Sequence, residues 1–201
     1  MELRQIMLNK VAELFMRYGI KSVSMDDISR TLGISKKTLY QYVDNKADLL
    51  QQTFQQHIDE DIQTMERIVA ESTDAIDELL NIAKYVTQSL RELSPNTLYD
   101  LQKYYQEVWQ MIEGLHQKHI YSLILVNLER GIRESLYRDD LTPDIIARIY
   151  MGCNSIMVDE AIFPLRKYSM EQLYLEYMRY HIYGIASKKG LRLLEKYTKN
   201  K

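Results

Sequence analysis

Between positions 36 and 46 the chain gathers Lys36, Lys37, Thr38, Tyr40, Gln41, Tyr42 and Lys46. Amide and hydroxyl groups hydrogen-bond the edges of bases, while ammonium groups and phenols meet phosphate oxygens, so this set suits contact with a nucleic-acid duplex. It does not suit catalysis, because no nucleophile motif, phosphate loop or metal-ligand spacing accompanies it. The spacing adds direction. At 100° per residue, Leu39 and Val43 fall together on the buried side of a predicted helix of seven or eight residues that Ser35 caps. Lys37, Thr38 and Gln41 lie roughly opposite, with Lys36 and Tyr40 on one shoulder and Tyr42 on the other.

The elements before and after must hold that face outward. Ser24 followed by Asp26 and Asp27 is a helix-start signal: a serine oxygen accepts an orphan N–H of the first turn, and the carboxylates complement the helix dipole. The helix predicted from about Met25 buries Ile28 and Leu32 and stops at Gly33, which supplies a left-handed cap. Two helices about the turn 33–35 make a helix-turn-helix with the second helix as reader. Asp44-Asn45-Lys46 opens another helix, so the Lys46 charge and the free N–H groups there can both meet a phosphate. On spacing alone, a plain helical hairpin with a solvated face fits equally well.

The run Val11-Ala12-Glu13-Leu14-Phe15, Tyr18-Gly19, Ser24-Met25-Asp26-Asp27-Ile28, Leu32-Gly33-Ile34-Ser35-Lys36, Thr38-Leu39-Tyr40, Tyr42, Lys46 and Asp48-Leu49-Leu50 separates these readings. It resembles the N-terminal DNA-binding domain of the TetR family of bacterial transcriptional regulators, densely over about the first fifty residues. Beyond them only the all-helical layout is similar. The resemblance implies phosphate contacts from Ser24, Tyr40 and Lys46, and base or near-base contacts from Lys36, Lys37, Thr38, Gln41 and Tyr42. Val43 stands where phenylalanine is common in that family, Ser29 where alanine is usual, and Lys37 where many members carry a smaller residue, which implies an operator preference of its own.

The rest of the chain reads as helix. Three prolines and seven glycines in 201 residues leave little punctuation, and neither strand alternation nor a repeat is visible. A single cysteine, no apolar run long enough for a bilayer and no signal peptide point to a soluble cytoplasmic protein. The net charge of −2 divides into +2 over residues 1–50 and −4 over the remainder, a weak asymmetry in favour of a nucleic-acid-binding N-terminus. Predicted helices cover about 3–18, with Leu3, Met7, Val11, Leu14, Phe15 and Tyr18 on one face, then 46–70, a fifth that begins at Thr73-Asp74, 96–106, 108–136, 143–159, 170–187 and a short tail near 191–197. Gly114 and Gly131 mark a close approach or a kink in the long seventh helix. The fold expected is all-α: a helix-turn-helix domain over 1–46, joined by a long fourth helix to a larger ligand-binding and dimerisation domain over 47–201.

Three further groups carry expectations. Tyr85, Tyr104, Tyr105 and Trp109 are candidates for the wall of an apolar cavity, although core packing explains such aromatics at least as well. Ile149, Gly152, Ile156, Tyr174, Tyr177, Met178, His181 and Ile182 are candidates for a homodimer interface, because the helices over 142–159 and 170–187 carry more apolar area than a monomer covers. His57 with Asp59-Glu60-Asp61, and Glu113 with His116 and His119, read as solvated faces rather than metal ligands, and Cys153 as a small buried hydrophobe. The function expected is that of a non-enzymatic, homodimeric repressor on a palindromic double-stranded DNA operator, without a cofactor, answering to an apolar or aromatic effector. The alternative is a helical small-molecule-binding or interaction protein that keeps the fold without operator activity.

Overall fold

Capping residues decide where the helices of the computed structural model begin and end. It describes residues 2–164 and 166–199; the side chains of Glu2, Leu3, Glu92 and His116 lie outside the described residues, and with them two of the positions named above. The helices are α1 (Glu2–Tyr18), α2 (Met25–Leu32), α3 (Lys36–Leu39), α4 (Lys46–Glu71), α5 (Ala75–Glu92), α6 (Pro95–Tyr104), α7 (Gln106–Arg133), α8 (Pro143–Met157), α9 (Met170–Ile185) and α10 (Lys188–Lys199). No strand occurs among the described residues, and none of their helices is long and apolar enough to cross a membrane.

The chain packs as two units. The first comprises Met1–Gln63 and Glu92–His116, so it takes in α1–α3, the start of α4, α6 and the start of α7. Its core joins Val11, Phe15, Ile20, Ile28, Leu39, Leu49 and Leu50, all fully buried, to Leu101, Val108 and Ile112 of α6 and α7. Burial of each such side chain is worth about 1.5–3 kcal/mol over leaving it exposed. The end of α1 is tied down by α6: Ser94 N donates to Met16 O at 2.8 Å, a carbonyl of the kind a helix C-terminus leaves orphaned, and Thr97 Oγ1 adds a 2.6 Å bond to Phe15 O, which also accepts from Gly19 N.

The second unit comprises Thr64–Arg91 and Gln117–Lys201. Its core is built from Ile76, Leu79, Ile124, Leu128, Tyr137, Ala147, Tyr150, Tyr174, Met178 and Ile182. The α4–α5 corner is held by a partly buried polar network. Arg130 reaches Glu78 at 2.9 Å, Glu134 at 2.8 Å and Ser72 O at 3.1 Å, while Glu134 accepts from Ala75 N at 2.9 Å. The Tyr137 hydroxyl lies 2.9 Å from Ala75 O and 2.8 Å from Asn127 Oδ1.

Two boundaries differ from the sequence expectation for local reasons. Helix α7 stops at Arg133, not near 136, because Ser135 turns the chain at φ +59° and brings the Tyr137 ring onto Gly131. A Cβ on Gly131 would stand 2.0 Å from that ring, so this glycine marks a close approach. Helix α9 stops at Ile185 because Ala186 is extended and bridges to Tyr137.

Candidate nucleic-acid interface

The turn between α2 and α3 is determined at each step by short-range chemistry. Ser24 Oγ accepts from Asp27 N at 3.2 Å and the Asp27 carboxylate accepts from Ser24 N at 3.0 Å, a reciprocal cap that fixes the start of α2. The Ser24 hydroxyl and backbone N–H hold the Asp27 carboxyl below its usual range. At the other end Gly33 adopts φ +69°, and the bonds Gly33 N to Arg30 O and Ile34 N to Ser29 O close the helix. Ser35 Oγ then accepts from Thr38 N at 3.0 Å and lies 2.8 Å from Thr38 Oγ1.

The reader element is shorter than the seven or eight residues expected. Its α-helical part is Lys36–Leu39, after which Gln41 N bonds Thr38 O and Tyr42 N bonds Leu39 O in tighter, three-residue steps. The tightening has a cause downstream. Asn45 Oδ1 accepts from Ala47 N and Asp48 N to start α4, and Val43 must enter the core beside Leu39 within the few residues between. Leu39 and Val43 are buried, as their spacing predicts, and the opposite side is left to solvent.

On that side the predicted residues differ in how free they are. Lys37, Gln41 and Tyr42 are exposed and have no side-chain partner among the described residues. Tyr40 is exposed, and Thr38 is half-buried with its hydroxyl on Ser35. Lys36 is paired with Asp26 at 3.0 Å, which raises its pKa. Lys46 is placed otherwise than its position at a helix start suggests. Its ammonium donates to Ile20 O at 2.6 Å and to Val23 O, and burial lowers its pKa against the opposing pull of Asp100 and Asp27. Sequence reasoning misses this role because the acceptors lie 26 and 23 residues upstream; of the Asp44-Asn45-Lys46 opening it reads, Asn45 is the residue that caps α4.

The ligand candidates belong to both units, three to the first and Tyr85 to the second. Tyr105 and Trp109 are half-buried against the core of the first unit, and Tyr104 is exposed beside Lys21. Tyr85 belongs to the second unit, where it lines an open cleft of about 360 Å³ with Ile68, Glu71, Asn81, Lys84 and Gln88. Among the described residues no group of three or more His, Cys, Asp or Glu side chains is arranged to hold a metal.

The dimer candidates divide by helix. Ile149, Gly152 and Ile156 of α8 are exposed and continue, with Ile145, one stripe at spacings of four, three and four. Tyr174, Met178, His181 and Ile182 of α9 are instead buried in their own chain, and the half-buried Tyr177 donates to Tyr150 O at 3.1 Å. This corrects the expectation for α9: a helix apolar on both sides does not reveal in sequence which side meets its own core. The outward side carries Leu175, Tyr180 and Tyr183.

Comparison with known proteins bears on this geometry. Residues 8–53 match the family model described as bacterial regulatory proteins, tetR family. The chain is 25% identical over 147 residues to the uncharacterized HTH-type transcriptional regulator YvaF of Bacillus subtilis (strain 168), a span of 72% of this chain and 75% of that protein. In fold it is similar to SCO4454, a TetR-family transcriptional regulator from Streptomyces coelicolor, with TM-score 0.66 and 16% identity over 92% of this chain and 97% of the other. It is also similar to the transcriptional regulator FadR from Bacillus subtilis, solved in complex with stearoyl-CoA, with TM-score 0.63 and 21% identity over 90% and 98%.

Proposed function

We propose that the chain, a member of the TetR family of bacterial transcriptional regulators, acts as a homodimeric, ligand-responsive repressor that binds a palindromic operator in the cytoplasm. The observation that carries this reading is the outward face of the α2–turn–α3 element, where Lys37, Gln41 and Tyr42 stand exposed without partners over a buried Leu39 and Val43. A major groove offers such side chains hydrogen-bonding complements.

In this reading Lys37, Thr38 and Gln41 face bases, Lys36 and Tyr42 stand at or near them, Ser24 and Tyr40 meet the phosphates, and Ser35 sets the pitch of the reader. Lys46 supports the α1–α2 connection from within. Functional labour divides at about residue 46: residues 1–46 contact DNA and residues 47–201 dimerise and bind the effector. The exposed stripe Ile145, Ile149, Gly152 and Ile156, with Leu175, Tyr180 and Tyr183, supports the dimer, because a two-fold protein matches a two-fold site with recognition helices roughly 34–36 Å apart. The effector is an apolar or aromatic small molecule. FadR of Bacillus subtilis, similar in fold, is a regulator solved with stearoyl-CoA, and this chain offers Tyr85 at a cleft and the half-buried Tyr105 and Trp109 as aromatic surface.

Selection of random duplex DNA by the purified protein tests the reading directly. Recovery of one sequence with two-fold symmetry, released by a compound that also changes Trp109 fluorescence, is the expected result. No enrichment over the starting pool, or an enriched site bound by a monomer in sedimentation, would overturn it.

A further inference from the structure

One surface cluster of the first unit lies outside the helix-turn-helix face and is made of the same chemistry. Lys21, in the connection between α1 and α2, holds its ammonium 4.3 Å from the centre of the Tyr104 ring and 3.3 Å from the Tyr104 hydroxyl. Lys103, on α6, donates to the Tyr99 hydroxyl and stands 4.9 Å and 5.4 Å from the ring centres of Tyr99 and Tyr104. The two rings meet edge to face at 6.3 Å. All four residues are exposed.

Two features separate this cluster from an ordinary solvated patch. Among the described residues neither lysine is paired with a carboxylate, in contrast to Lys36 on Asp26; both are held by rings and hydroxyls, which orient an ammonium without neutralising it. Its position is also fixed. Lys21 N donates to Asp100 Oδ2 at 2.7 Å, an acidic group that is itself buried, so the connection is pinned to α6. The same connection presents Ile20 O and Val23 O to Lys46 at the start of α4 and leads, three residues after Lys21, to the Ser24 cap of α2. Through this one connection the cluster is joined along the chain to the start of α2 and tied to the start of α4, the ends at which helix dipoles favour anions.

We propose that Lys21, Lys103, Tyr99 and Tyr104 form a second DNA-backbone contact, in which α6 extends the interface beyond the helix-turn-helix and grips the phosphates flanking the operator. The ammonium groups supply charge, and the phenol O–H groups donate to phosphate oxygens while accepting from the lysines. Such a contact adds affinity without reading sequence. Lys103 and Tyr104 influence each other in the sense this requires, the phenols favouring the charged lysine and the lysines easing the Tyr104 phenol downward.

The proposal rests on the DNA-binding reading above, and its test separates the two. Affinity of the full chain is followed by fluorescence anisotropy against salt, on the selected duplex carrying flanks and on a random duplex of equal length. The parent is compared with Lys21→Gln/Lys103→Gln, Lys21→Arg/Lys103→Arg and Gln41→Ala. The glutamine pair should weaken both duplexes alike and flatten the plot of log affinity against log salt by about one unit for each phosphate it no longer neutralises. The arginine pair should keep the parent slope, and thermal melts of all three should match the parent because these side chains are exposed. A glutamine pair with the parent slope on both duplexes overturns the flanking contact, as it would if the cluster served a protein partner. In that outcome a changed base preference in Gln41→Ala still upholds the reader. A parent that binds neither duplex overturns both.

Discussion

The reader face of the first unit and the α4–α5 corner of the second both concentrate polar side chains, and they treat them in opposite ways. Among the described residues Lys37, Gln41 and Tyr42 have solvent and no partner, whereas the buried Glu78, Asn127 and Tyr137 and the partly buried Arg130 and Glu134 satisfy one another and the backbone. An unpaired polar group costs little where water reaches it and several kcal/mol where water does not. The corner is therefore a device for holding shape, and the reader face can keep its hydrogen-bonding capacity for a partner only because it is exposed. Residue type alone does not separate these roles; burial and pairing do.

The largest effect expected from this contrast is at Arg130. Arg130→Met leaves the Glu78 carboxylate, whose side chain is 2% exposed, buried without its cation. Breaking such a pair costs about 3–5 kcal/mol, and the lower end applies because Arg130 is 24% exposed. A urea melt reads the loss. A midpoint within error of the parent would show that the corner relaxes enough to admit water, and the contrast with the reader face would weaken.

Ile182 and Ile149 sharpen the same contrast within α8 and α9. Ile182 is 4% exposed and Ile149 55%. Ile182→Ala should cost roughly 2–4 kcal/mol by opening a cavity, with the loss visible at any protein concentration. Ile149→Glu should leave the fold of the protomer intact and turn a dimer into monomers in sedimentation. Were Ile182→Ala to yield a folded monomer instead, the buried side of α9 would be the true interface.

A pH effect of about 2 kcal/mol is expected from His181. It is packed 4.9 Å from the Tyr150 ring and 6.1 Å from that of Tyr177, its Nε2 has no partner, and burial lowers its pKa from 6.5 to about 4. The unfolded chain thus binds a proton more readily, so stability is complete above pH 6.5 and falls as the pH drops toward 4, by about 2 kcal/mol at pH 5. Replacement by phenylalanine should flatten this dependence between about pH 7 and pH 5. A parent whose urea midpoint is unchanged over that range would mean that water reaches the imidazole.

What can be read from sequence follows the range of the interaction involved. Ser24 with Asp27, Gly33, Ser35, Pro143 and Ser169 act within four residues of themselves, and the helices begin or end within a residue or two of where these residues place them. The paired apolar positions Leu39 and Val43 are likewise legible, since periodicity reports which side of a helix is buried. Periodicity makes α3 too long because its last residues bend to meet a core and a cap that come later in the chain. The buried side of α9, the Asp100 anchor of Lys21 and the carbonyl acceptors of Lys46 depend on segments roughly 20 to 80 residues away, and no local pattern carries that information.

The smallest stability effects belong to the reader, and the pair Lys46 and Gln41 tests where the reader ends. Lys46→Ala removes a donor from Ile20 O and Val23 O, and a partly buried carbonyl left without a partner costs about 1–3 kcal/mol at most. Its loss of DNA affinity should therefore come with a lower melting temperature and with little change in the salt slope, because its ammonium faces carbonyls rather than solvent. Gln41→Ala, exposed and unpartnered, should change stability by less than about 0.5 kcal/mol. It should nevertheless relax preference at particular base pairs by about 1–3 kcal/mol, with the salt slope of the parent retained. Thermal melts and competition between operator variants, run on both proteins, distinguish the two roles. If Lys46→Ala melted like the parent and flattened the salt slope by about one unit, its ammonium would have left the carbonyls for a phosphate on binding, and the DNA interface would extend to the start of α4.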